Sequence, residues 1–298
     1  MIVVFGATGR TGGAAARCLL ELGEEVRVVG RNRDRLQPLV DQGAEAVVAD
    51  LGDDRAAERV LAGAEAAYLL IPSNADVDDF RGYQRKLVRA ATTAVDRSGI
   101  GNVVLLSSLG AHHSARTGPV VALHTFEKEL RKIPKLNVLS LRAGHFMENL
   151  LMSVRMVREG DFLGAPVPPE APMGLIAAAD IGRYAALRLA ALDFSRFEVV
   201  NLIGPDLTTM ADVARTIGDV IRRPGLPYMQ LSYADALDGM IWTGLKPKLA
   251  ALWIELYQAD DRGLLRPEEG TPVVNTETDF EEFAKTTFAP AYRQGAAA

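Results

Sequence analysis

The sequence has a single cysteine, Cys18, among 298 residues, so no disulfide can form within the chain. This fits a reducing compartment, and beside Leu19 and Leu20 the thiol reads as a small buried hydrophobe. No long run of Lys or Arg occurs, and the formal net charge is −5. Direct nucleic-acid binding and a membrane-surface footprint are therefore not expected. No stretch reaches the roughly eighteen uninterrupted apolar residues that mark a membrane span. The first residues lack a basic segment and their apolar run ends at Phe5, so no signal peptide is expected and the cytoplasm is the expected location. No Cys joins the four histidines, and no H-x-x-x-H pair falls on one helix, so no metal site is expected. A G-x-S-x-G elbow is absent, which leaves hydrolase chemistry unsupported.

Hydrophobic content is 48% and charged content 24%, ordinary values for a globular chain with a sizeable core. The strongest local signal comes first. Met1–Phe5 is a run of strand formers, Gly6-Ala7-Thr8-Gly9-Arg10-Thr11-Gly12-Gly13 follows, and a helical pattern opens at Ala14. In a strand–turn–helix unit Gly6 permits a tight turn. Gly9 removes a side chain where backbone approaches a pyrophosphate. Gly12 lets helix and strand pack closely, and the helix N-terminus offers free N–H donors. The spacing is G-x-x-G-x-x-G, not the commoner G-x-G-x-x-G.

Strand-like runs follow at Glu25–Gly30, Glu45–Ala49, Ala66–Ile71, Asn102–Leu106 and Asn137–Leu141. Helical patterns alternate with them: Ala14–Gly23, Asn32–Gln42, Asp54–Leu61, Asp78–Ser98 and Leu123–Lys132. This alternation predicts βαβ units in an α/β fold, a doubly wound parallel sheet with its ligand crevice at the strand C-termini. The pattern breaks after Asn149, predicting a domain at 1–149 and a smaller, mostly helical one at 150–298, partly interleaved with the sheet. In that second part Leu150–Glu159, 179–192, Thr208–Ile221, Tyr233–Met240, Pro247–Asp260 and Asp279–Thr287 read as helices. Glu198–Ile203 reads as a strand, Ala165–Pro172 as a loop, and the final Gly-Ala-Ala-Ala as frayed.

Arg31 and Arg33 stand about twenty residues beyond the glycine turn, where an acid would bind a ribose 2′-OH and an arginine accommodates a 2′-phosphate. With Arg10 on the same side, they predict NADP(H) in preference to NAD(H). Asp50 and Leu51 end the third strand, where an acid can reach an adenine and a leucine can cover it; Asp50 can equally serve as an N-cap. Ile71 and Pro72 end the fourth strand beside the cofactor. Ser107 and Ser108 end the fifth, where one hydroxyl is predicted to face the ligand. Phe146, Met147 and Asn149 follow the sixth and should border the substrate cleft. Trp242 and Trp253, with Met240, Leu249 and Leu252, read as core or as the wall of an apolar pocket.

Four stretches in order carry a resemblance: the glycine turn, Val104–Ala111, Leu141–Asn149 and Ala179-Asp180-Ile181-Gly182. Together they resemble the NmrA-like family of atypical short-chain dehydrogenases over about residues 1–190. The resemblance implies an NAD(P)-binding Rossmann domain, a small C-terminal domain and a cleft between them. It also implies roles for Gly6, Thr8, Gly9, Arg10, Thr11 and Gly12 at the cofactor. Reductases of the wider superfamily use Tyr-x-x-x-Lys on the helix after the fifth strand, the Tyr as proton donor. No Tyr stands between Tyr83 and Tyr184. Aligning Glu127 and Leu130 with a family Glu-x-x-Leu places Pro119 at the Tyr position and Leu123 at the Lys position. His124 is then the candidate nearest the cleft for proton relay, with His112, His113 and His145 as further candidates.

Two main functions follow from this reading. One is an NADPH-dependent oxidoreductase of apolar, aromatic quinone-like or azo acceptors. The other is a non-catalytic NADP(H) redox sensor that binds a regulatory protein partner, which the missing Tyr-Lys pair favours. A vestigial nucleotide site is the third, and the intact glycine turn counts against it.

Overall fold

The computed structural model describes residues 1–294; the expected frayed end at 295–298 lies outside them. Strands and helices alternate as β1 (Ile2–Phe5), α1 (Arg10–Glu21), β2 (Val26–Gly30), α2 (Gln37–Val40), β3 (Glu45–Val48), α3 (Asp54–Leu61), β4 (Ala66–Leu69), α4 (Phe80–Ser98), β5 (Asn102–Ser108), α5 (Val121–Leu130) and β6 (Asn137–Ala143). Then come β7 (His145–Phe146), α6 (Val154–Gly160), β8 (Leu163–Ala165), β9 (Met173–Ile176), α7 (Ala178–Ala191), β10 (Phe197–Ile203), β11 (Leu207–Thr208), α8 (Met210–Val220) and β12 (Tyr228–Gln230). The chain continues through α9 (Tyr233–Trp242), α10 (Pro247–Asp261), β13 (Val273–Asn275), α11 (Phe280–Phe283) and α12 (Ala289–Gln294).

One eight-stranded sheet runs β13-β10-β6-β5-β4-β1-β2-β3, and every pairing in it is parallel. β1 and β4 are buried along their whole length, as strands covered on both faces must be. One face packs on α1 and α7 through Ala15, Leu19, Ile181 and Leu189; the other packs on α3, α4 and α5 through Val60, Ala91 and Phe126. The fold is thus the doubly wound, Rossmann-like α/β sheet. The first of these cores joins residues before and after position 149. A third core is built wholly from Met147 onward, around Val157, Val213, Ile217 and Phe288.

Local chemistry explains the helix ends. Asp53 accepts from the Ala56 N–H at 3.0 Å and Asp79 from the Gly82 N–H at 2.9 Å, capping α3 and α4. Gly99 ends α4 in the left-handed region. The helix expected at 32–42 is only a 3₁₀ turn at Asp34–Leu36 followed by α2. α1 starts at Arg10, four residues before the expected Ala14, so Gly12 and Gly13 are helical. The segment expected to be helical from Leu150 opens as a 3₁₀ stretch at Met147–Ser153. Two small sheets, β11-β9-β7 and β12-β8, add to the helical C-terminal part.

The Ala179–Gly182 stretch has a packing role. A Cβ on Gly182 would lie 2.4 Å from the Thr11 carbonyl oxygen and 2.6 Å from the Ala14 Cβ, so α7 rests directly on the first turns of α1. Asp180 accepts from the Thr278 N–H and hydroxyl, both at 2.9 Å, tying the C-terminal segment to the same helix. Gly182→Ala should destabilise the protein by about 1–3 kcal/mol through overpacking, outweighing the roughly 1 kcal/mol by which Ala exceeds Gly in a helix. Gly239→Ala, on a helix with nothing within 4 Å of the added Cβ, should instead be neutral or stabilising. Urea unfolding of both variants checks the pair.

Candidate functional site

The crevice forms where β1, β2, β4, β5 and β6 end. At β1 the chain turns on Gly6, whose φ of +66° is the left-handed conformation that glycine tolerates. A Cβ on Gly12 would lie 2.5 Å from the Gly6 carbonyl oxygen, so this glycine lets α1 come down onto the turn. Gly9 caps α1 with no side-chain bond. The N–H groups of Arg10, Thr11 and Gly12 belong to a first turn that a helix cannot pair internally. Gly9 and Arg10 are exposed, whereas Thr11 is buried and offers this site its backbone.

At the end of β2, Arg31 and Arg33 are exposed. Arg35, which the motif reading passed over, donates from Nη2 to the Thr8 carbonyl at 3.4 Å and so reaches back to the glycine turn. Among the described residues none of Arg10, Arg31, Arg33 and Arg35 has a carboxylate within 4.0 Å, which leaves this end of the crevice positive. Asp50 accepts from the Gly52 N–H at 2.8 Å and is exposed. Tyr83 is a second residue the sequence reading missed. It packs on Phe80, and burial raises its hydroxyl pKa, with the Arg31 charge opposing and Asp50 adding to the rise.

At the ends of β4, β5 and β6 lies a cavity of about 290 Å³, mainly apolar. Ile71, Pro72, Ser107, Ser108, Phe146 and Asn149 line it. So do Pro119 and Leu123. Leu249, Trp253 and Leu256 of α10 form the opposite wall. Ion pairs tie α10 across the crevice: Lys246 with Asp78 at 3.1 Å, Arg81 with Glu255 at 2.7 Å, and His145 Nε2 with Asp260 at 3.2 Å. The first two are exposed and weak individually.

Beneath this cavity sits a buried charge cluster. Arg142 donates from Nη2 to Glu127 Oε2 at 2.7 Å, from Nε to Glu127 Oε1 at 3.1 Å, and from Nη1 to Glu268 at 2.7 Å. Ser107 and Ser140 donate their hydroxyls to Glu127 Oε1 at 2.6 and 2.7 Å. Burial alone would push the Glu127 carboxyl up. The hydrogen bonds and charge of Arg142, with the two hydroxyls, outweigh it and hold Glu127 below the usual carboxylate range. Nearby, Glu148 receives the Ala178 N–H on both oxygens at 3.1 Å, capping α7, and burial raises its pKa.

Four expectations are corrected. Met147 is 1% exposed and packs in the C-terminal core, so it does not border the cleft. Leu51 is buried against β1, β2 and α3, and its side chain is not free at the strand ends. The Ser107 hydroxyl is held by Glu127, leaving its backbone at the cavity; Ser108 donates locally to the Leu109 carbonyl at 3.0 Å and lines the cavity. His124 faces away. Its Nδ1 lies 2.9 Å from the Ala111 carbonyl oxygen, in a separate polar cleft with His112, Glu127, Lys128 and Arg142. One step of about 100° around α5 separates it from Leu123. Of the two tryptophans only Trp253 lines the cavity; Trp242 is exposed, under the Arg155 guanidinium.

The NmrA-like family model matches residues 1–238. The chain is 25% identical over 259 residues to an NAD(P)H azoreductase of Xenophilus azovorans, covering 86% of each. Its fold is similar to that of an NADPH-dependent quinone oxidoreductase of Escherichia coli solved with NADPH, with a TM-score of 0.80, 24% identity, and coverage of 97% of this chain and 100% of that one. It is similar too to a Citrobacter triphenylmethane reductase solved with NADP(H), with a TM-score of 0.78, 16% identity and 99% coverage of both.

Removing Glu127 strands a buried guanidinium. Glu127→Ala should cost about 3 kcal/mol, the lower end for a broken buried pair because Glu268 remains. The lowered pKa of Glu127 contributes stability above the unfolded-state value of about 4.3, and that contribution is lost as the pH falls through the folded-state value. Denaturant unfolding across the acid range should show a steep loss in the wild type and a shallower one in Glu127→Gln.

Proposed function

The chain belongs to the NmrA-like family, and we propose that within it this protein is an NADPH-dependent oxidoreductase of flat, apolar quinone-like or azo acceptors. The observation that carries the reading is the apolar cavity at the ends of β4, β5 and β6, next to the glycine turn. The residues present suit a dinucleotide. The turn has no room for side chains at Gly6 and Gly12, and the first N–H groups of α1 favour an anion. Gly6, Thr8, Gly9, Arg10, Thr11 and Gly12 would hold the pyrophosphate, the last two through backbone. Arg31 and Arg33 would take a 2′-phosphate, with Asp50 at the adenosine end. Ile71, Pro72 and the Ser107 backbone would border the nicotinamide.

NADPH bound there would supply a hydride. The chain's own residues set which acceptor can meet it. Phe146, Trp253, Leu249 and Leu123 give an apolar slot that excludes water, and Ser108 and Asn149 offer a few polar contacts. Pro119 and Leu123 supply no acid. A quinone's reduced anion is stabilised by its own ring, so its proton need not come from that position. The named activities of the azoreductase, quinone oxidoreductase and triphenylmethane reductase relatives support the same class of chemistry.

Fluorescence titration should show NADPH binding more tightly than NADH, and Arg31→Ala should narrow the gap by about tenfold, a change of roughly 1.4 kcal/mol. Tighter NADH binding would contradict the arginine assignment. NADPH consumption with a panel of quinones and azo dyes tests the reaction itself. Tight binding with no consumption by any acceptor would contradict the reductase and favour a redox sensor acting through a protein partner.

A further inference from the structure

We propose that His145 is the proton donor of this reductase and that Asp260 is its positioning residue. The inference rests on the oxidoreductase reading above. A two-electron acceptor that gains a hydride is left as an anion and needs one proton. The cavity has few groups that could give one. The Ser107 hydroxyl is held by Glu127, the Ser108 hydroxyl by the Leu109 carbonyl, and the Gln84 amide donates to the Pro119 carbonyl at 3.0 Å. Among the described residues lining the cavity, His145 is the one with an ionisable side chain of the acid–base type, and an imidazole can hold and release a proton at neutral pH.

The surroundings of His145 suit that role. Its Nε2 lies 3.2 Å from Asp260 Oδ2, and both side chains are 26% exposed. That burial fixes the ring, and the remaining exposure lets water restore its proton. The backbone is rigid there: His145 pairs with Leu175 of β9, and a Cβ on the preceding Gly144 would lie 2.4 Å from the Gly174 carbonyl oxygen. Asp260 belongs to α10, the helix that brings Leu249, Trp253 and Leu256 to the cavity, so one element positions both the wall and the imidazole. Three charged groups close in sequence are engaged elsewhere. Arg142 is on Glu127 and Glu268, Glu148 is on the Ala178 N–H, and Asp261 accepts from the Tyr233 hydroxyl. β9, which pairs with His145, carries no charged residue.

With Nε2–H donated to Asp260, Nδ1 is the atom that gives up the proton. The Nδ1–H bond breaks, an O–H or N–H bond forms on the acceptor anion, and the neutral imidazole regains a proton from water. The acceptor ends with two electrons and two hydrogens, one delivered as hydride and one from His145.

Acceptors that differ in their need for a proton separate this role from a structural one. Reducing 1,4-naphthoquinone requires a proton. Reducing crystal violet, a triphenylmethane cation, requires only a hydride at its central carbon. His145→Asn should lower kcat for the quinone by about 100-fold, within the range of general-acid contributions, with KM unchanged and dye reduction unaffected. Asp260→Ala should show a smaller loss with the same selectivity. In the deprotonated form, reached at alkaline pH, the ¹⁵N shifts of His145 should report the Nε2–H tautomer, and Asp260→Ala should abolish that preference. Added imidazole should restore quinone turnover to His145→Ala. Equal losses with quinone and dye, unchanged quinone turnover, or failure of imidazole to rescue would each overturn the assignment. A wild type that reduces neither acceptor would instead overturn the oxidoreductase reading.

Discussion

Arg142 is the constraint on which the crevice depends. It sits at the end of a central strand, with its guanidinium almost wholly out of water. Such a charge is tolerated only when its hydrogen bonds are made, and here they fix three parts of the chain at once. Glu127 sets the depth and rotation of α5 against the sheet. Ser107 and Ser140 bring in the ends of β5 and the middle of β6 through the same carboxylate. Glu268 holds the segment after α10, whose Leu265 lines the cavity. Because both oxygens of Glu127 are on Arg142, this pairing orients α5 and with it the faces that Leu123 and His124 present.

The two ends of the crevice differ in character, and the division of labour follows from that difference. Around the glycine turn the chain gathers arginines with no carboxylate partners and a helix N-terminus, a setting for phosphates. Beside it, toward the ends of β4, β5 and β6, the lining becomes apolar and aromatic, a setting for a flat acceptor. The departure from Tyr-x-x-x-Lys does not blur this division. Pro119 and Leu123 face the cavity and add to its apolar lining. On the proposed function, such a cavity suits acceptors whose anions are stabilised by conjugation, with proton delivery left to a group on another element.

Much of this was readable in the sequence, for physical reasons. Buried parallel strands are continuous apolar runs, and β1 to β6 were located because Val, Leu and Ile cluster there between glycine and proline stops. The same reading missed β7, β8, β9, β11, β12 and β13. Strands of two to four residues carry no periodicity, and they exist because partners such as Leu175 and Asn201 lie beside them. α1 began earlier than expected because packing against β1 and α7 outweighs the low helix propensity of Gly12 and Gly13. That Ile71, Pro72, Ser108 and Phe146 would lie along the crevice followed from topology alone, and all four line the cavity. Met147 and His124 do not. One turns into a 3₁₀ stretch and the other lies one step around a helix, and such single-residue rotations are decided by tertiary contacts. The Arg142 cluster left only a faint signal: an arginine ending an otherwise apolar strand, and a glutamate on the buried face of α5.

The central claim is that the apolar cavity, distinct from the nucleotide end, is where the acceptor is reduced. Filling it tests this most directly. Leu123→Trp places an indole in the cavity and leaves Arg10, Arg31, Arg33 and the glycine turn untouched. NADPH affinity and quinone-dependent NADPH consumption would be measured side by side on the variant and the wild type. The proposed geometry requires that NADPH still binds through the glycine turn and the arginines while quinone turnover is lost. Undiminished quinone turnover in a variant that binds NADPH normally would contradict it and move the reaction away from this cavity.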